Sequence, residues 1–361
     1  MKTVAVVTSG GDSPGMNAAL RAIAKLGAAR GVLVLGSLEG YEGLIDGRLK
    51  PLAHAGPDGA LTVDLEVDFA GGMGGTLIGS ARSARFREPA GRAQAAETLR
   101  ARGIDGVIVI GGNGSLTGAH VLAQEHGVRV VGIPGSIDND IGCTATALGV
   151  DTALNTIVEA CDRIGDTARA HRRAFVVEVM GRDCGYLAMA SAIAVAADAV
   201  LIREQGKTEQ QLVEDVAGVI RAGVARGKRR ILIIKAEGVQ VPCTKLVRLT
   251  EEHLQGDLAG LEIRATVLGH VVRGGNPSYQ DRAVAGRLGF AALSSLIAGE
   301  TDCMVGWLPP VAGGAPTEDS SVQRFSLARV LEETRALIDG SSPVTRRRLA
   351  MMEKATGVLS L

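Results

Sequence analysis

Short apolar runs rich in valine and isoleucine recur along the chain, each followed by a stretch with apolar residues at helical spacing. The runs at 4–8, 32–36, 106–110 and 128–133 are continuously apolar, as strands buried on both faces are. They predict a parallel sheet sandwiched by helices. A second series at 174–179, 199–202, 230–235 and 262–268 repeats the pattern, with helices predicted over 208–225 and 282–297. The expected fold is therefore α/β and two-lobed, each lobe a mainly parallel sheet covered by helices. The boundary is placed near residue 145, giving approximate lobes of 1–145 and 146–312 that are expected to exchange segments. A more polar tail, 313–361, with helices predicted at 326–338 and 345–354, is expected to pack back on the first lobe.

Composition narrows the function. Glycine accounts for 49 of 361 residues, about twice the usual share of ~7%. These glycines cluster between the apolar runs, where strands turn into helices. Lys plus Arg is 39 and Asp plus Glu is 39, so no net field draws the chain to nucleic acid or to a membrane surface. Neither is expected as a partner, and any anion binding must come from local clusters. The five cysteines, an odd number, are widely spaced with no CxxC pair and no His at metal-ligand spacing, and read as reduced thiols of a cytoplasmic protein. No apolar stretch reaches the ~18 residues needed to span a bilayer.

In open α/β sheets ligands bind beyond the carboxyl ends of the strands, which directs attention to the strand-to-helix turns. Residues 8–17, TSGGDSPGMN, follow the first strand, and Gly10 and Gly11 permit close approach of a ligand to the backbone. Residues 110–115, IGGNGS, repeat the device before a helix whose expected N-cap is Ser115. Neither turn is a Walker A loop or a GxGxxG fingerprint. Residues 134–140, PGSIDND, place two carboxylates, Asp138 and Asp140, two positions apart after a strand. That spacing suits one to accept a hydroxyl proton and one to assist Mg²⁺, although Asp and Asn are also ordinary turn formers. Loop arginines beside glycine complete the set: Arg82 with Arg87, Arg182, and Arg273 beside His270. Arg169, Arg172 and Arg173 form a denser basic patch that reads equally well as surface. Trp307 falls in a late apolar segment where packing is expected. Together the turns, carboxylates and loop arginines indicate a Mg²⁺-dependent phosphoryl transferase acting on a phosphorylated substrate.

The motifs TSGGDSPGMNAALR, EGYEGL, GSAR, IGGNGS, PGSIDNDI, VVEVMGRDCG, AEG and RATVLGHVVRGG, in this order from residue 2 to about 300, resemble the 6-phosphofructokinases. The resemblance implies a nucleotide-binding first lobe, a sugar-phosphate-binding second lobe, and phosphorylation of the 1-hydroxyl of fructose 6-phosphate by ATP with Mg²⁺. Carried over by position, Asp138 is the base, Arg82 stabilises transferred charge, and Ser136 and Ile137 contact substrate. Gly11, Tyr41, Arg82, Ser83, Gly112, Asn113, Gly114 and Ser115 match the nucleotide site, with Tyr41 near the adenine. Met180, Gly181, Arg182, Glu237, His270 and Arg273 match the sugar-phosphate site. Arg173 and Arg264 match arginines that reach the substrate from a neighbouring subunit, which implies at least a dimer and suggests a homotetramer. Asn113 and Asp140 match the metal site.

Members using pyrophosphate resemble GGDD and PKTIDND at the second and third turns, so Gly114 and Gly135 are expected to leave room for ATP. Asn113 stands where the family carries a metal-site aspartate, and Ser83 where an aromatic often flanks the nucleotide. The bacterial effector site is matched in part, by Arg21, Lys25, Asp198 and Lys228, while Gly165 replaces an arginine; altered or absent effector control is expected. Alternative readings are a pyrophosphate-dependent enzyme and a weakly active regulatory paralogue that Asn113 would explain. Sedoheptulose 7-phosphate is an alternative acceptor.

Overall fold

The computed structural model describes residues 1–256, 258 and 261–359, with side chains through Lys354. Its backbone divides into two compact units. The first comprises residues 1–137, 141–152 and 273–335, and the second residues 138–140, 153–272 and 336–361.

The first unit is built on an eight-stranded sheet. In spatial order the strands are Ala315–Pro316, Val322–Ser326, Cys303–Trp307, Val130–Pro134, Gly106–Gly111, Thr3–Ser9, Leu33–Ser37 and Leu49–Pro51. From Cys303–Trp307 to Leu33–Ser37 the neighbours run parallel, and antiparallel strands finish both edges. The central strands Thr3–Ser9 and Gly106–Gly111 are buried almost throughout, which is why their sequences read as unbroken apolar runs. The helices Met16–Ala29 and Tyr279–Ile297 contribute much of the apolar core of this unit, including Leu20, Ile23, Leu288 and Leu293.

The second unit carries a wholly parallel sheet in the order Ile263–Val267, Ala174–Val179, Ile231–Ala236, Ala199–Leu201. The helices Glu209–Ala225 and Cys243–Leu254 bury Val216, Ile220 and Leu246 in its core. Among the described residues every cysteine is unpaired and buried. Burial pushes the thiols of Cys161, Cys184, Cys243 and Cys303 up to about 11.

The units exchange segments as expected, and two bounds are corrected. Residues 273–312, expected in the second lobe, lie in the first, because Cys303 and Met304 pair with Val131 and Gly132. The tail also splits. Val322–Ser326 completes the first sheet, whereas residues 336–361, including the helix Pro343–Leu359, belong to the second unit.

Candidate active site

The turns at the carboxyl ends of Thr3–Ser9 and Gly106–Gly111 open onto a cavity of about 720 Å³ in the first unit. Its walls include Gly11, Tyr41, Arg82, Ser83, Gly112, Asn113, Gly114 and Ser115, all eight residues expected at the nucleotide site. Gly10, Gly135, Ser136 and Arg273 line it as well.

Backbone chemistry explains the glycine-rich turns. Gly10 has φ +91°, a conformation that glycine adopts without strain. At Gly111 a Cβ would lie 2.4 Å from the Ser9 carbonyl oxygen, so a side chain there would force the strands apart. Both following helices, Met16–Ala29 and Asn113–His126, are flanked by glycine and lack a side-chain cap. The Met16 and Ser115 N–H groups already donate to the Ser13 and Gly112 carbonyls, at 3.3 and 3.0 Å, and the helix dipoles favour an anion at both starts. The cap position expected at Ser115 is taken by Gly112, three residues earlier; Ser115 sits inside the first turn of the helix, buried.

The loop bearing Arg82 is tied to the first turn. Ser80 Oγ donates to the Gly10 carbonyl at 2.7 Å, and Thr8 Oγ1 donates to the Gly79 carbonyl at 2.7 Å. At another wall Tyr41 is buried, its hydroxyl donating to the Ser115 carbonyl at 2.7 Å and its ring stacked on Phe86 with centroids 3.8 Å apart. Burial pushes the Tyr41 phenol far above its ordinary range.

Phe86 was not singled out in the sequence. Ser83 sets the turn that presents Phe86: its Oγ accepts from the Phe86 N–H at 2.9 Å and donates to Glu42 at 2.5 Å. Arg92, also missed, fixes the same turn by donating to the Phe86 carbonyl at 3.1 Å and to both oxygens of Glu125 at 2.6 and 2.8 Å.

The two glycines that bear on the donor differ. A Cβ on Gly114 would meet nothing within 4 Å. At Gly135, which lines the same cavity, it would lie 3.3 Å from Met16 Cε and 3.4 Å from the Gly111 nitrogen, so a side chain is accommodated less easily there than at Gly114. Arg273 packs beside Gly11, and its Nη1 donates to the Asp12 carbonyl at 3.1 Å.

In the second unit Arg182 and Glu237 line a separate cavity of about 590 Å³, together with Arg203 and Lys207, two cations not singled out in the sequence. Gly181, at φ +121°, precedes Arg182, and the Gly238 N–H donates to the Gly181 carbonyl at 3.2 Å, binding the two loops together. Met180 is buried next to them. Lys235 is buried under the Glu237 loop and donates to Glu178 at 2.8 Å and to the Ala236 and Val239 carbonyls, each at 3.2 Å. Arg173 and Arg264 share the carboxylate of Glu262, Arg264 at 3.1 Å. His270 is exposed in the short turn Gly269–Arg273. Asp138 and Asp140 cluster with this unit, while Ser136 and Ile137 belong to the first.

Among the described residues no group of three or more His, Cys, Asp or Glu side chains is arranged to hold a metal ion. No described helix is long and apolar enough to cross a membrane.

Comparison with known proteins identifies the family. The phosphofructokinase family model matches residues 3–296. An ATP-dependent 6-phosphofructokinase of Thermotoga neapolitana is 44% identical over 307 residues, covering 84% of this chain and 89% of that protein. ATP-dependent 6-phosphofructokinase 1 of Thermus thermophilus is 41% identical over 332 residues, covering 92% of this chain and 97% of that protein. Among solved structures, Pichia pastoris phosphofructokinase in the T-state superposes with a TM-score of 0.83 at 33% identity. That match takes in 99% of this chain and 38% of the larger Pichia chain.

Proposed function

The chain belongs to the phosphofructokinase family, and from that premise we propose how its two cavities divide the work of an ATP-dependent 6-phosphofructokinase. The reaction moves a phosphoryl group from ATP to the 1-hydroxyl of fructose 6-phosphate, giving fructose 1,6-bisphosphate and ADP in glycolysis. The cavity of the first unit takes the nucleotide, and Arg182 and Glu237 at the cavity of the second take the sugar phosphate, while Ser136 and Arg273, which line the first cavity, are the sugar-site residues on the nucleotide side. One observation carries the assignment: all eight expected nucleotide residues line one cavity at two uncapped helix starts.

In this reading Tyr41 and Phe86 wall the base, and the N–H groups around Gly11, Gly112, Asn113, Gly114 and Ser115 hold the phosphates. Arg82 neutralises charge that develops on the transferred group, where positioning and electrostatics supply most of the rate. Ser136 and Ile137 place the sugar, and Asp138 accepts the proton of its attacking hydroxyl. Arg182, Glu237, Met180, Gly181, His270 and Arg273 bind the sugar phosphate, with Arg173 and Arg264 supplied by a neighbouring copy in a homotetramer.

Mg²⁺ fits as an ion carried by the nucleotide rather than held in a cage of protein carboxylates, since no such cage occurs among the described residues. Asn113 and Asp140 are the side chains that would touch it. When bound, the ion screens the phosphate charges during transfer.

The buried, unpaired cysteines support a cytoplasmic location. Effector control is proposed to be weak. Lys25 pairs with Asp68 at 2.7 Å, Lys228 pairs with Asp198 at 2.6 Å, and Arg230 lies beside Gly165. A strong shift of the fructose 6-phosphate saturation curve with both phosphoenolpyruvate and ADP would overturn this.

A coupled assay with fructose 6-phosphate, Mg²⁺ and each donor in turn tests the reading. Turnover is expected with ATP, and Asp138→Asn should lower kcat by about 10³. Faster turnover with pyrophosphate would overturn the donor, and no consumption of fructose 6-phosphate would overturn the acceptor.

A further inference from the structure

The helix Pro343–Leu359 lies outside the residues matched by the family model, yet within the second unit it is fastened to the loop that carries Arg182. That loop, residues 181–185, joins the strand Ala174–Val179 to the helix Tyr186–Ala194. Arg348 Nη1 donates to Cys184 Sγ at 3.5 Å, and its guanidinium carbon stands 4.5 Å from the centre of the Tyr186 ring. The first contact is weak, because sulfur is a poor acceptor; the second is a cation over an aromatic face.

A third element closes the arrangement. Glu204 Oε1 accepts from the Gly185 N–H at 2.7 Å, while its Oε2 is buried with no hydrogen-bond partner among the described residues. Glu204 and Arg348 line the same small cavity, together with Thr345. A buried carboxylate oxygen without a donor is costly unless a cation stands near, and Arg348 is the cation of that cavity. One side chain thus contacts the Arg182 loop at Cys184, stacks on the residue that follows the loop, and lines the same cavity as the carboxylate that anchors Gly185.

We infer that Arg348 is a positioning residue for the sugar-phosphate site, through which the C-terminal helix holds loop 181–185 and fixes the direction in which Arg182 enters the cavity shared with Glu237. The inference rests on the reading of that cavity as the sugar-phosphate site. Arg182 does not touch the nucleotide cavity in this reading, so loosening its loop should weaken one substrate and spare the other.

The test compares wild type, Arg348→Met, Arg348→Lys and a chain ending at Gly340, with the KM of each substrate measured separately. Arg348→Met and the shortened chain are expected to raise the KM for fructose 6-phosphate about ten-fold and to leave that for ATP within about two-fold. Arg348→Lys keeps a cation over Tyr186 but loses the planar fork, and should recover most of the loss. Equal changes in both KM values, or none, would overturn the inference while ATP-dependent turnover by the wild type leaves the functional reading standing. A wild type that does not phosphorylate fructose 6-phosphate overturns both. Should Arg348→Met fail to fold, Arg348→Lys carries the test, with a two- to three-fold rise expected for fructose 6-phosphate alone.

Discussion

Asn113 opens the helix Asn113–His126, whose first turn holds no acidic residue. An aspartate there would gain about 0.3–1 kcal/mol from the helix dipole and would add a charged oxygen for Mg²⁺. Asn113→Asp is therefore expected to raise the melting temperature slightly and to lower several-fold the Mg²⁺ concentration giving half-maximal rate. A Mg²⁺ titration of initial rates checks it, and an unmoved curve removes Asn113 from the metal site. The neighbouring glycines call for opposite experiments. A Cβ at Gly114 meets no atom within 4 Å, so Gly114→Asp should fold normally, yet it puts negative charge where the nucleotide phosphates are proposed to lie. A rise of more than about ten-fold in the KM for ATP is expected. Gly135→Lys instead brings its Cβ to 3.3 Å from Met16 Cε, which must shift slightly, so a small drop in melting temperature is expected first. The glycine turns and the SIDND carboxylates were legible because backbone approach and charge demand particular residue types. Phe86 and Arg92 were not, because a ring and a guanidinium joined by a turn that Ser83 caps leave no fixed spacing to read.

At the scale of elements, central strands announced themselves by continuous apolar runs, whereas Cys303–Trp307 did not reveal its sheet. Its register is set by pairing with Val131 and Gly132, some 170 residues earlier, and no local pattern encodes that partner. Trp307 is half-buried against the core, as its apolar setting predicted, and Arg287 from the helix Tyr279–Ile297 covers its ring at 4.5 Å. The same guanidinium holds Asp319 through Nε and Nη2, both at 2.5 Å, and Asp319 also accepts from the Ser321 N–H at 2.9 Å. Arg287 keeps the Asp319 carboxyl below the usual carboxylate range. A depressed folded-state pKa means that the unfolded chain binds the proton more readily, so this contribution is complete above about pH 4 and is lost as pH falls through the folded value. Asp319→Asn should cost about 1 kcal/mol at pH 7, a modest figure because Arg287 is 44% exposed. Urea unfolding at several pH values should find the difference from wild type shrinking below pH 4, and a difference independent of pH would rule out the ion pair as its source.

For the whole molecule, the sequence order of the lobes misleads because the chain passes between units more than once, with residues 138–140 and 336–361 both joining the second. What no single chain displays is the partner proposed to complete the sugar-phosphate site. Arg264 lies on the strand Ile263–Val267 at the edge of the four-stranded sheet, exposed, and shares Glu262 with Arg173. If these arginines serve a neighbouring copy, a chain lacking Asp138 and a chain lacking Arg264 should each be nearly inactive at low fructose 6-phosphate, but not when combined. In a mixed pair, the copy that keeps Asp138 receives Arg264 from the copy that lost Asp138, and one site is whole. Random reassociation makes half of the pairs mixed, each with one intact site of two, so about one quarter of wild-type activity should return for an isologous pair. Asp138→Ala and Arg264→Ser chains, denatured together and refolded, supply the measurement, with each refolded alone as the control. Recovery no greater than the sum of the controls would mean that Arg264 does not reach a neighbour's substrate. Recovery near one quarter would establish that the catalytic unit is larger than the chain, because no refolded single copy in the mixture carries both residues.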